Sequence, residues 1–115
     1  MKLSTASARG LSKSGGKVME VVRLSPAALR DLDEIADYIA KDNYARAISF
    51  TDELYDACAE LSTNPMAHPD RSDLGSGLRL KIYKNYLIIF RIGPKAIRVE
   101  RIVHGARDMK NLSLK

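Results

Sequence analysis

Tryptophan is absent, cysteine occurs once and histidine twice among the 115 residues. The lone thiol, Cys58, has no partner for an internal disulfide, and this residue set is too sparse for a zinc cluster. Neither bridge nor metal is needed, because a domain of this length buries roughly two-thirds of its unfolded surface. A chain without disulfides fits a reducing, cytoplasmic setting. Long apolar runs are missing too. The longest, Tyr86 to Phe90, falls far short of the ~20 residues that cross a bilayer. The first 18 residues hold Ser, Gly, Ala and Lys, with Gly15-Gly16 near their end and no apolar stretch of the secretory kind. They read as a disordered extension, 1–18, ahead of one domain, 19–115, with Met19 a candidate translation start. A basic arm adding general anion affinity is the alternative use of that extension.

What the chain does have is charge, unevenly divided. From Glu20 to Thr63 there are four Lys/Arg against ten Asp/Glu; from Gly77 to Lys115 there are ten against two. The whole carries a net +5. A small domain that gathers its cations in one half is suited to an anionic counterpart: nucleic acid, an acidic site on a larger machine, or an acidic partner chain.

The acidic half reads as two helices. Ser25-Pro26 is a helix start, with Ser as N-cap and Pro in the first turn, where its missing N–H costs nothing. Leu29, Leu32, Ile35, Ala36 and Ile39 then recur at helical spacing, predicting a helix from Pro26 to about Lys41, with Asp31, Asp33, Glu34 and Asp37 mainly off the apolar stripe. Asp42-Asn43 breaks the pattern and caps a second helix, from about Tyr44 to Leu61, with Ala47, Phe50, Leu54, Cys58 and Leu61 inward. So short a link makes the two an antiparallel hairpin. Cys58 on that stripe reads as a small buried hydrophobe.

The basic half reads as a β-meander. Val18 to Leu24 is a first strand. Asn64 to Gly77 is a loop, with His68 solvated. Leu78 to Tyr83 alternates, Leu78, Leu80 and Ile82 one way and Arg79, Lys81 and Tyr83 the other. Lys84-Asn85 is a tight turn in which Asn supplies the positive φ. Tyr86 to Ile92 is a central strand, and Ala96 to Val103 follows the Gly93-Pro94-Lys95 turn. The order strand, helix, helix, three strands predicts an α+β fold. The helices should cover one sheet face, leaving Arg79, Lys81 and Tyr83 on the other.

Several segments, taken in order, resemble the ParE branch of the RelE/ParE toxin superfamily, across about Glu20 to Leu112. They are Val22-Arg23-Leu24-Ser25-Pro26-Ala27-Ala28, Asp33-Glu34-Ile35-Ala36-Asp37-Tyr38-Ile39 and Asp73-Leu74-Gly75-Ser76-Gly77-Leu78-Arg79. Tyr86 to Arg91 and Arg101-Ile102-Val103-His104-Gly105-Ala106-Arg107-Asp108 complete the set. The resemblance implies a small cytoplasmic toxin of a type II toxin–antitoxin system, associated with plasmid stabilisation and held inactive by a cognate, ParD-like antitoxin. It implies DNA gyrase as the target in ParE-type members and mRNA in the ribosomal A site in RelE-type members.

Metal-free RNA cleavage needs a base, an acid and cations around the phosphorane-like charge. Arg91, Arg101 and Arg107 are the candidate cations, His104 the candidate acid or base, and Lys81 or Tyr83 a helper. The chain lacks the denser Lys, Arg and Tyr set, or the second histidine, that RelE-type nucleases carry near this position. A toxin that acts by binding is therefore the first expectation, without cofactor, metal, membrane or stable nucleic-acid contact. The nuclease is the second, and a weakly toxic antitoxin-binding partner the third. For binding to target or antitoxin the candidates are Arg79, Lys81, Tyr83, Arg101, His104 and Arg107. Tyr38, Tyr44 and Tyr55 on the hairpin are the candidate aromatic anchors, with an edge-of-core place the alternative for Tyr38 and Tyr55.

Overall fold

The structure, a computed structural model, describes residues 21–108. The expected extension over 1–18, Met19 and the start of the predicted first strand lie outside that range. The described strand β1 is Val21–Leu24, and α1 follows at Pro26–Ala40. Ser25 is extended at the α1 N-cap, and its hydroxyl accepts the Ala28 N–H at 3.0 Å. Asn43 does the same for α2, Tyr44–Ala59, accepting the Arg46 N–H at 2.9 Å. Two short 3-10 turns, Glu60–Ser62 and Pro65–Ala67, carry the chain off the helix. Strands β2 (Leu78–Tyr83), β3 (Tyr86–Ile92) and β4 (Ala96–His104) form the expected antiparallel meander, and a single-turn helix α3, Gly105–Asp108, closes the described chain.

The sheet order is β1-β4-β3-β2, with β1 parallel to β4. Helices packed on one side of a mostly antiparallel sheet make the fold α+β, as the sequence implies. The main core lies between the layers. Leu32 and Ile35 of α1 and Phe50, Leu54 and Cys58 of α2 meet Val22, Ile88, Phe90, Ile97, Val99 and Ile102 of the sheet. Cys58 is fully buried and burial pushes its thiol up to about 12, so it is inert packing material.

The faces of β2 are the reverse of the expectation. Arg79, Lys81 and Tyr83 pair in register with Phe90, Ile88 and Tyr86, all residues of the helix-side core. Leu78 and Leu80 point away from the helices and join Ile89 and Val103 in a second buried cluster, with Leu74 and Leu87 against it. A long cationic or phenolic side chain can lie along an apolar surface while its tip reaches a polar partner, so alternation alone does not say which set faces inward.

A bulge shapes β4. The register slips between Ile89 and Phe90, so that Glu100 has no partner on β3, and Val99 before it and Ile102 after it both face the helices. Ser25 holds this irregular point: its N–H donates to the Val99 carbonyl at 2.9 Å and its hydroxyl to the Glu100 carbonyl at 2.8 Å. In α1, Leu29 is exposed, contrary to the predicted stripe, while Ala28 and Asp31 are buried in its stead. The β2–β3 turn puts its positive φ at Lys84 (53°), not at Asn85. The 64–77 segment is more than a loop. Its Pro69 carbonyl accepts the Leu80 N–H at 3.1 Å, and its Arg71 N–H donates to the Leu78 carbonyl at 2.7 Å, so it covers part of the free edge of β2.

Candidate target-binding site

Each inward-facing residue of β2 ends on a polar group of the helical side. Arg79 donates to the His68 carbonyl at 2.7 Å. Lys81, its side chain only 13% exposed, donates to the Ala57 carbonyl in the last turn of α2 at 2.7 Å and pairs with Glu60 at 3.1 Å. A cation at the carbonyl end of a helix completes bonds that the helix itself leaves open. Tyr83 donates to Glu53 at 2.6 Å, and Glu53 pairs with Arg46 at 2.7 Å. The Arg46 and Tyr83 hydrogen bonds hold the Glu53 carboxyl below its ordinary range, and the same carboxylate pushes the Tyr83 hydroxyl up. These residues tie the sheet to its own helices. Nor is His68 a solvated loop residue. It stands edge-on to Phe90 at 5.9 Å, and burial, then Lys81 and Arg79, lower its pKa.

Arg101 is likewise committed. Both arms of its guanidinium reach the Asp31 carboxylate, at 2.7 and 3.0 Å, and the Ile102 N–H donates to the same carboxylate at 2.9 Å. Asp31 thus clamps α1 to the edge of β4 beyond the short reach of β1. The hydrogen bond to Asp31 raises the Arg101 pKa further. Arg91 lies on the face away from the helices, with its Nε 3.4 Å from Glu100. Tyr55 is 2% exposed and its hydroxyl has no partner among the described residues. Burial raises that hydroxyl to about 12. As a core residue it is not available as a surface anchor.

The exposed candidates gather at the His104 end of the sheet. His104 precedes the α3 turn and acts as its cap: Nδ1 accepts the Arg107 N–H at 3.1 Å, while the His104 N–H donates to Asp108 at 3.1 Å. That reciprocal pattern is the logic of a capping box. With Nδ1 accepting, the neutral ring carries its proton on Nε2. The ring stands edge-on to Tyr86 at 5.2 Å. Arg107 pairs with Asp108 at 3.2 Å and lies over the Tyr38 ring at 5.4 Å, joining α3 to α1. The Arg107 hydrogen bond, with help from the His104 N–H, lowers the Asp108 pKa. Tyr38 is 59% exposed, and Tyr44 at the start of α2 is more exposed still. Phe50 links Tyr86 and Tyr83 beneath, at 5.5 and 6.0 Å. The result is an aromatic and cationic surface fixed by an ion pair, a cation–π contact and a cap. Such a surface is chemically suited to a protein contact, where Tyr and Arg supply much of the energy.

Four residues that sequence reasoning passed over matter here: Asp31, Glu53, Glu100 and Ser25 in its second role. Asp31 carried a signal, since it stands three residues after Ala28 and four before Ile35, in line with the buried side of α1. Glu100 carried none, because its position follows from the bulge. Among the described residues no group of His, Cys, Asp or Glu is arranged to hold a metal ion, and no helix is long and apolar enough to cross a membrane.

Residues 22–109 match the profile of a family described as ParE toxin of type II toxin–antitoxin system, parDE. No curated protein matches the chain. Among solved structures, the chromosomal ParDE system of P. aeruginosa superposes with a TM-score of 0.66 at 21% identity, covering 75% of this chain and 96% of that one. The toxin–antitoxin complex RelBE2 of Mycobacterium tuberculosis gives a TM-score of 0.50 at 24% identity, covering 76% of this chain and 99% of the other. At these identities the two likenesses establish the fold.

Proposed function

The chain belongs to the ParE toxin family of type II toxin–antitoxin systems, and from that membership we propose that it inhibits DNA gyrase by binding, until a cognate ParD-like antitoxin covers it. One observation carries the choice of binding over RNA cleavage: the residues a nuclease would have to gather are dispersed. Arg91 pairs with Arg98 and Tyr86 with His104, at opposite ends of the β3–β4 ladder. At about 3.4 Å per residue that separation is roughly 17 Å, and the two side chains leave opposite faces. Arg101 spends both arms on Asp31. His104 has its Nδ1 engaged by the α3 turn, so the neutral ring can offer Nε2–H as an acid but has no free lone pair to act as the base. Only Arg107 stands beside it. The exposed Tyr38–Arg107 pair at the same end favours a protein contact.

The antitoxin follows from the company this fold keeps, since both similar structures are toxin–antitoxin assemblies. A cytoplasmic location goes with a gyrase target. Purified gyrase incubated with this protein should lose supercoiling activity and leave broken DNA, while messages on the ribosome stay intact. Cleaved message beside unaffected gyrase would overturn the reading in favour of the RelE-type activity. Normal growth on expression alone, beside tight antitoxin binding, would reduce the protein to a complex-forming partner. His104→Asn preserves a capping acceptor and removes the imidazole. A nuclease using His104 would lose its activity outright, whereas a toxin that acts by binding should still inhibit gyrase, at most with a modestly weakened affinity.

A further inference from the structure

Arg23, Arg98 and Arg91 stand opposite one another on three adjacent strands. The register pairs Arg23 of β1 with Arg98 of β4, and Arg98 with Arg91 of β3. Residues opposite one another share a face, and strands lie about 4.8 Å apart, so three guanidiniums leave the side away from the helices in one row roughly 10 Å long. Like charges placed directly opposite weaken strand pairing, which makes this an expensive arrangement for folding alone. Glu100 is the one carboxylate that bonds the row among the described residues. It takes the Arg98 Nε at 3.2 Å on one oxygen and the Arg91 Nε at 3.4 Å on the other. Arg91 is further fixed by donating Nη1 to the Ser76 carbonyl beside Gly77, whose φ of 76° shapes the approach to β2. Arg23 and Arg98 are exposed, and no described carboxylate bonds Arg23.

We propose that this row docks an acidic polypeptide segment presenting two carboxylates about 5–10 Å apart, the spacing of neighbours on a helix face or along a strand. Glu100 decides the chemistry. It offsets one of the three guanidinium charges, so the row matches two carboxylates and not a continuous polyanion, and it holds Arg91 and Arg98 by their Nε atoms, which leaves the Arg98 Nη edge to fork a carboxylate. The proposal rests on the reading that this protein works through protein partners, and is independent of gyrase being one of them.

The test is a low-salt titration of the arginine Nε–H resonances of the full chain. One arm uses a synthetic helical peptide with Glu at i and i+4, the other a DNA duplex of the same formal charge. The peptide should shift Arg23, Arg98 and Arg91 saturably, and more than Arg30 or Arg107. Arg23→Gln and Arg98→Gln should each weaken peptide binding roughly threefold to fivefold without lowering the melting temperature. Shifts produced by DNA alone, or spread evenly over all exposed arginines, would overturn the proposal. So would an Arg23→Gln protein that melts earlier yet binds the peptide as before, since the row would then be structural. Gyrase left uninhibited by a chain whose row still binds the peptide counts against the gyrase target alone.

Discussion

At the scale of single residues, Asp31 is the clearest case of a charge working inside the molecule. It is 8% exposed and answers two arms of Arg101 and the Ile102 N–H. Replacing it with Ala leaves a buried N–H and a guanidinium without its anion, although Arg101, about one-third exposed, can recover some water. We expect Asp31→Ala to destabilise the fold by about 2–3 kcal/mol, measured by urea denaturation. Asp37→Ala, on an exposed position of the same helix, should stay within about 0.5 kcal/mol. Equal effects at the two sites would refute the clamp. Lys81 belongs to the same class. Lys81→Met keeps the aliphatic stem and removes the ammonium from the Ala57 carbonyl and Glu60, so a loss of about 0.5–1.5 kcal/mol is expected. Toxicity should fall no further than that loss of folded protein explains. A fully folded but non-toxic Lys81→Met would return Lys81 to the target surface.

Among the elements, beginnings are legible and orientations are not. Ser25-Pro26 and Asn43 mark both helix starts, because capping chemistry is local to a few residues. The strands β2 to β4 also fall where alternation and turn residues put them. Which side of β2 meets the helices is different, because Leu78, Leu80 and Ile82 are more apolar than Arg79, Lys81 and Tyr83, yet Ile82 ends 67% exposed. The choice is made by distant carboxylates and carbonyls on α2, and by a bulge that resets the phase of β4, neither visible in a strand's own pattern. For the same reason the His104 end of the candidate site was partly legible, since Arg107-Asp108 is a local pair, while the Arg101–Asp31 clamp, 70 residues apart, was not. Ser25 joins the two levels. Ser25→Ala removes the α1 cap and the donor that holds the Glu100 carbonyl, which should cost about 1–3 kcal/mol. Ser25→Asp restores the cap alone, having no proton to donate at neutral pH, and should recover only part of that loss by thermal melting. Complete recovery would mean that the bond to the bulge contributes nothing.

For the molecule as a whole, the split between an acidic front half and a basic back half is in large part answered internally. Arg101 meets Asp31, Lys81 meets Glu60 and Tyr83 meets Glu53, each bond running from the sheet to a helix or the turn after it. What is left over for partners is the Arg107 end and the arginine row, not the whole sheet. This internal arrangement fixes how stability should depend on pH. His68 has a folded pKa below its ordinary 6.5, chiefly from burial. Its unfolded form therefore binds protons first as pH falls, so its contribution is whole above 6.5 and declines as pH drops through the folded value. Glu53, held below its ordinary 4.5 by Arg46 and Tyr83, and Asp108, held below 3.8 by Arg107, lose theirs in the same direction but at lower pH. Urea midpoints measured from neutral pH downward should thus fall in two stages, the first beginning near 6.5 and the second below 4.5. His68→Gln should flatten the first stage and leave the second. Tyr83→Phe, which removes one of the two donors to Glu53, should make the second stage shallower and leave the first. A first stage that survives His68→Gln would mean that the His68–Phe90 contact carries no proton-linked stability.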